Sequence, residues 1–405
     1  MDVDLMRKID YWVGVPICFV LSALNHITRV FSSKKQSKIK KVLFIELSEM
    51  GSTIFAYSSM KKAKEMYPDA KLYFMIFREN QESINLLNII PPENVITIRS
   101  KSFVALTIDT IKALLKLRKE KIDVAIDLEL FSRFTAILTY LSGASHRIGF
   151  HKYHMEGLYR GNLLTNKVAY NPHQHISHSF LSLIYSLKSP QNEIPMAKVC
   201  IKTEDVVIPR IKSTDEEKEK IWKKLREINP KISRRKKIIL LNPNASKLIP
   251  IRKWPLHNYI ELAKKLLMDK DVFIVITGIK DEKPDAQTIC NSIKNERCID
   301  FTGKTLNLKE LIDLYNISKM LITNDSGPAH FVSLTQIKIV VFFGPETPEI
   351  YRPMSQNCRV LYSHFACSPC VSAFNHRKTS CNNNKCLKAI IPNEVYEDVK
   401  NELYK

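Results

Sequence analysis

Apolar runs of four to seven residues alternate with helical stretches twice along this chain, and that rhythm restricts the fold more than any other feature. The first set covers 42–47, 71–77, 95–98, 123–128 and 146–150, with helical patterns over 53–66 and 103–119. The second covers 237–242, 271–277, 298–301, 319–323 and 337–343. Continuous apolar runs of this length, separated by helices, are strands buried on both faces of a parallel sheet. A chain of 405 residues exceeds one ordinary core. The expectation is an α/β protein of two Rossmann-like domains, 39–200 and 237–390, joined by a charged stretch over 201–236. A C-terminal helix over 391–405 ends the chain. Two such domains facing one another would leave a cleft, the usual place for a ligand.

Glycine is scarce, at ten residues, so each one kept has a backbone reason to be there. Gly51, Gly278, Gly303, Gly327 and Gly344 each follow an expected strand. Ligands of open parallel sheets bind beyond the carboxyl ends of the strands, so half of the glycines mark that edge. Lysine plus arginine total 62 against 41 acidic residues, a formal charge of +21. Such an excess points to an anionic partner. The lysines are scattered rather than interleaved with aromatics, which argues against nucleic acid.

Residues 11–24 (YWVGVPICFVLSAL) form an apolar run, followed by Asn25, His26 and Arg29 and then the basic stretch 34–41. The run is short for a bilayer span, which takes about 20 residues. With basic residues on both sides, segment 1–38 is expected to associate with an anionic membrane surface, placing the rest of the protein on the cytoplasmic face of the inner membrane.

The strongest motif is 323–330 (TNDSGPAH), between an apolar strand and a helix. Ser326 and Gly327 present backbone N–H groups at the helix start, Pro328 suits its first turn, and His330 points the same way. A helix start of this kind holds an anion such as a diphosphate, and it also serves as a plain N-cap.

This motif, followed by IKIVVFFGPETPEIYRP, resembles the C-terminal signature of glycosyltransferase family 9, the bacterial heptosyltransferases. LNPNAS (241–246) followed by RKWP (252–255) resembles the first strand and loop of the family's donor domain. ELSEMGS (46–52) resembles its acceptor loop, and RIGF (147–150) a short mid-chain element. The likeness is dense in the second half and looser in the first. It implies a GT-B fold and an inverting, metal-independent transfer of a heptose or related sugar from a nucleoside-diphosphate sugar, such as ADP-heptose, to a lipid-linked glycan such as lipopolysaccharide core. No cofactor is implied. Carried over by position, Ser246, Lys247, Arg252 and Lys253 serve the diphosphate. Asn324, Asp325, Ser326, Gly327, His330 and Gly344 complete the donor side. Gly51, Ser52 and His178 stand on the acceptor side.

One departure matters. The family's loop carries Asp after its glycine as general base, whereas Gly51 is followed by Ser52, which is no base near pH 7. Glu49 is the nearest carboxylate and the expected base, with Asp127 and Glu129 as alternatives. Cys367, Cys370, Cys381 and Cys386, in the Cys-rich loop 358–386, have a spacing that suits structural zinc or reduced thiols packing a loop. His173, His175 and His178 have no metal-ligand companions at suitable spacing. Another nucleotide sugar is the alternative enzyme reading. A lapsed transferase acting as a glycan-binding or scaffold protein is the alternative outside catalysis.

Overall fold

A computed structural model of the chain describes residues 3–30, 38–153, 158–190, 192–246 and 249–404. Lys247 lies outside the described residues. The chain divides into two compact units at the Val207–Ile208 bond.

The first unit is a six-stranded, wholly parallel sheet. Its strands are β1 (Lys41–Ile45), β2 (Lys71–Phe77), β3 (Val95–Ile98), β4 (Val124–Asp127), β5 (His146–His151) and β6 (Asn166–Ala169), in the order β3-β2-β1-β4-β5-β6. Val42, Leu43, Phe44 and Ile45 are fully buried at its centre, as a strand covered on both faces requires.

The second unit repeats the plan with β7 (Lys237–Asn242), β8 (Val272–Ile276), β9 (Cys298–Asp300), β10 (Met320–Asn324), β11 (Lys338–Phe343) and β12 (Cys358–Tyr362). Their order is β12-β11-β10-β7-β8-β9, again all parallel. Counted within each unit, both sheets run 3-2-1-4-5-6, the doubly wound Rossmann order. Strand order therefore reverses between β1 and β4 in one unit and between β7 and β10 in the other. Those two crevices are where such sheets take ligands.

Two strands have no counterpart in the expected set: β6 and β12. Both are edge strands; β6 alternates buried Asn166 and Val168 with partly exposed Lys167 and Ala169, and no residue of β12 is fully buried. The helical pattern expected over 53–66 starts earlier and breaks into Met50–Phe55 and Tyr57–Met66. Of the stretch 201–236, expected as a connection, residues 208–236 belong to the second unit. There the capped helix Asp215–Ile228 buries Ile221, Trp222 and Leu225. The C-terminal helix Pro392–Tyr404 buries Val395 and Val399 in the same unit's core.

The N-terminal segment is helical over Val3–Trp12 and Gly14–Val30. The Asp10 carboxylate accepts hydrogen bonds from the backbone N–H groups of Arg133 (3.0 Å) and Phe134 (2.8 Å), at the start of helix Arg133–Leu141. A carboxylate there satisfies orphan donors and meets the positive end of the helix dipole. Replacing Asp10 with Ala should lower stability by about 1–2 kcal/mol, seen in thermal denaturation as a Tm drop of roughly 2–8 °C.

Candidate active site

In the first unit, the loop after β1 and the loop after β4 meet at the switch point. Glu129 accepts hydrogen bonds from the backbone N–H groups of Leu47 (3.0 Å) and Ser48 (2.9 Å) and from the Ser48 hydroxyl (2.8 Å), all on one oxygen. Glu46 Oε1 accepts from the Glu49 N–H at 3.3 Å. Glu49 occupies the N-cap position of helix Met50–Phe55, and its carboxylate accepts the Ser52 hydroxyl at 2.8 Å. Gly51 lies in the first turn of that helix.

Three carboxylates so close cannot all ionise easily. Burial pushes the Glu129 carboxyl up to about 7, with the charge of Glu49 adding to the rise. Burial also holds Glu46 well above the usual range, reinforced by Glu129 and Glu49. Burial and the neighbouring carboxylates thus favour the protonated forms of Glu46 and Glu129; Glu46 is buried, whereas Glu49 and Glu129 are both partly exposed.

Asp127, one alternative base, is committed elsewhere. It is fully buried, pairs with the Arg160 guanidinium, and accepts the Thr135 hydroxyl at 3.0 Å. Removing its partnership would leave a buried arginine unmatched, so Asp127 holds structure. His178 sits on helix Ile176–Tyr185, and burial lowers its pKa, which favours the neutral ring. His175 caps that helix through Nδ1, while His173 is exposed.

In the second unit the loops after β7, β10 and β11 converge on Arg252. Its guanidinium pairs with Glu346 and lies 3.4 Å from Asp325. Glu346 also meets Arg377 at 3.4 Å, and Arg377 lies over the Tyr351 ring at 5.0 Å. Arg252, Asp325 and Glu346 are all at least nine-tenths buried. Ser326 and Gly327 open helix Gly327–Phe331, and His330 is buried within it. A Cβ added to Gly327 would meet only Phe331, at an ordinary 3.6 Å. Internal packing therefore does not require glycine here, whereas close approach of a ligand to the backbone would.

Other expected donor residues have partners within the unit. Asn324 is fully buried; its carbonyl oxygen accepts the Trp254 N–H at 2.8 Å and its amide donates to the Asn244 carbonyl at 3.0 Å. It ties the loops together, with its amide spent. Lys253 turns to Asp285 at 2.9 Å. At Gly344 a Cβ would stand 2.8 Å from Leu387 Cγ and 2.9 Å from Cys386 Sγ, so the reason for glycine there is packing. Ser246 is exposed at the end of the β7 loop.

The structure adds Glu346, Arg377 and Asn244. Among the described residues neither side-chain amide atom of buried Asn244 has a hydrogen-bond partner. A Cβ on Gly278 would lie 2.9 Å from that amide nitrogen and 2.7 Å from Glu282 Oε2. An unpaired buried amide is costly, and a polar ligand at this strand end would satisfy it. The only sequence signal was that Asn244 stands inside LNPNAS and Glu346 two residues after Gly344.

The four loop cysteines are free; Cys386 is buried and Cys367 exposed. Burial raises the Cys386 thiol, and Cys370, Cys381 and Cys367 add to the rise. Among the described residues no three His, Cys, Asp or Glu side chains are grouped so as to hold a metal ion.

Two doubly wound units, with carboxylates at one switch point and buried arginine at the other, define the GT-B class of fold. The family model for glycosyltransferase family 9 (heptosyltransferase) matches residues 111–380, more than half the chain, and the protein belongs to that family. It is 30% identical over 188 residues to lipooligosaccharide heptosyltransferase 2 of Campylobacter jejuni subsp. jejuni serotype O:2, covering 44% of this chain and 56% of the relative. The chain thus matches only about half the length of that curated relative. Among solved structures, ADP-heptose LPS heptosyltransferase II of E. coli superposes with a TM-score of 0.70 at 21% identity, covering 90% of this chain and 98% of the other. E. coli heptosyltransferase WaaC with ADP gives 0.61 at 14%, covering 89% and 99%.

Two outcomes follow. The folded state of Glu129 binds its proton more tightly than the unfolded chain does, so this group's contribution to stability is largest below pH 4.5 and falls as pH rises toward about 7. Glu129→Gln should therefore flatten the Tm-versus-pH curve between pH 4.5 and 7, measured by thermal denaturation. Gly344→Ala should cost about 1–3 kcal/mol by overpacking against Leu387, measured by denaturant unfolding.

Proposed function

We propose that this protein is an inverting, metal-independent glycosyltransferase that moves a heptose from a nucleoside-diphosphate sugar, ADP-heptose in the first instance, to a lipid-linked glycan such as lipopolysaccharide core. It works at the cytoplasmic face of the inner membrane, held there by its N-terminal segment. The observation that carries this reading is Arg252, a guanidinium buried at the β7–β10 switch point beside a helix start whose glycine has no packing duty.

The chemistry follows from those groups. The acceptor hydroxyl attacks the anomeric carbon from the face opposite the diphosphate, and Glu49 takes its proton. The bond from that carbon to the phosphate oxygen breaks, and its electron pair stays on the departing diphosphate. Arg252, offering five N–H donors in a fixed fork, meets that growing charge together with the N–H groups at Ser326 and Gly327. Asp325 and Glu346 hold the fork in place before the ligand arrives. Ser246 and the Asn244 amide add polar contacts to the nucleotide. Fixed cationic and N–H groups supply the stabilisation that a metal would otherwise give.

Glu49 is favoured over Glu129 because Glu129 is tied to the loop after β1 by three hydrogen bonds from Leu47 and Ser48, whereas Glu49 stands at the helix start with the Ser52 hydroxyl beside it. The Ser52 hydroxyl orients it. In this arrangement Ser52 positions the base in the place where the family has the base itself.

Thermal stabilisation of the purified protein by ADP, UDP, GDP and CMP tests the donor side. ADP at about 100 times its Kd should add roughly 2.7 kcal/mol, and Arg252→Ala should abolish the shift. Stabilisation by another nucleotide instead would reassign the donor, and none at all would overturn the reading. Glu49→Gln should lower the rate of ADP release in the presence of acceptor on the order of 10²–10⁴-fold while the ADP shift is kept. Chelation by EDTA should leave the rate unchanged.

A further inference from the structure

The first unit carries a second apolar surface that its core does not use. On helix Phe103–Glu120, Val104, Ile108, Ile111 and Leu115 recur every three or four residues and are 66%, 43%, 53% and 66% exposed. They form one stripe, while Ala113 and Leu117 on the other side enter the core. Lys112, Lys116 and Lys119 are exposed along one flank of the stripe. The helix's acidic side chains are matched, Asp109 to Arg99 at 2.7 Å and Glu120 to Lys41 at 2.8 Å.

This helix packs beside Arg133–Leu141 on one face of the sheet, through a shared cluster that includes Leu117 and Leu138 and through Arg118, which donates to the Leu141 carbonyl at 2.7 Å. The N-terminal helices pack against the same Arg133–Leu141 helix. Their contacts fall at Asp10, Gly14, Cys18, Ser22 and Asn25, one side of a helix at four- and three-residue steps. Asp10 caps helix Arg133–Leu141, and Gly14 makes room for the Arg133 side chain. Cys18 packs on Ala136 and Leu163. Ser22 accepts the Asn162 N–H at 2.7 Å, and Asn25 donates to the Asn162 carbonyl at 2.9 Å. The opposite side exposes Trp12, Phe19, Val20 and Ile27.

The helical stretch Asp4–Thr28 is long and apolar enough to cross a membrane by length and composition. Yet the sixteen residues from Asp10 to Asn25, roughly 24 Å of helix, are fastened to the folded unit along their length. A helix so fastened cannot thread a hydrocarbon layer of about 30 Å without breaking every one of these contacts.

We propose that the protein attaches to the bilayer without crossing it, through one face made of the outward side of the N-terminal helices and the Val104–Leu115 stripe, with Lys112, Lys116 and Lys119 meeting anionic headgroups. Apolar side chains beside a lysine flank suit an anionic lipid surface better than a protein partner, because headgroups supply a continuous negative layer. The inference rests on the membrane reading above and adds a second contact and a topology to it. Two anchoring elements also fix the orientation of the first unit on the membrane, which one helix would leave free to rotate.

The test is co-sedimentation of the full chain with phosphatidylcholine vesicles, with and without phosphatidylglycerol. Wild type should bind the anionic vesicles, and the exposed-site double variant Ile111→Glu/Leu115→Glu should bind roughly tenfold less. Lys112→Gln/Lys119→Gln, which alters no packing, should lower binding to anionic vesicles and leave binding to neutral ones unchanged. Alkaline carbonate should strip the protein from isolated membranes. Wild-type binding that both double variants retain in full would overturn the second contact while leaving membrane association standing. Retention after carbonate treatment would overturn the non-crossing topology. A wild type that binds no vesicle defeats the membrane reading itself. Unchanged vesicle binding with altered self-association in the Glu variant would make the stripe an interface between copies.

Discussion

A guanidinium removed from water has to be matched by fixed negative charge, and Arg252 is matched by two carboxylates from different loops. Asp325 follows β10 and Glu346 follows β11, so the pairing fastens the loop after β7 to both of its neighbours. Glu346 extends the network to Arg377, which stands in the cysteine-rich loop. Burying these charges costs several kcal/mol per ion. That outlay is hard to explain as stabilisation and easy to explain as preorganisation, because a diphosphate needs cationic donors already in place. The arrangement holds two cationic and two anionic side chains, so its cations are already neutralised within the protein.

The first unit solves the opposite problem. Glu46, Glu49 and Glu129 crowd one strand end, and burial raises Glu46 well above the usual carboxyl range and Glu129 to about 7. Crowding of this kind favours protonation of the members that burial and like charge disfavour as anions. Where Ser52 follows Gly51, a carboxylate still stands within the same turn, at Glu49. The hydroxyl donates to the carboxylate that stands three residues earlier.

Much of this was legible before the fold was known. The ten apolar runs all form parallel strands, because a strand buried on both faces leaves an unbroken apolar signature in the chain. The edge strands β6 and β12 were missed because half-buried edges tolerate residues such as Asn166, Lys167 and Arg359. Motif spacing led to Arg252, Asp325 and Gly327. It also suggested Lys253, Asn324 and Gly344, which sequence alone could not sort, since their tasks depend on the partners Asp285, Trp254 and Leu387 that lie far along the chain. Glu346 and Arg377 were unreadable for the same reason. The N-terminal run read as membrane-seeking, but its docking through Asp10, Ser22 and Asn25 depends on Arg133, Phe134 and Asn162.

The central claim is sugar transfer, and the most direct measurement is mass spectrometry of a purified lipid-linked core glycan after incubation with nucleotide-activated heptose and this protein. The account predicts an acceptor heavier by one heptosyl residue, with one nucleoside diphosphate released for each residue added. An acceptor of unchanged mass, with the donor intact or merely hydrolysed, would contradict it.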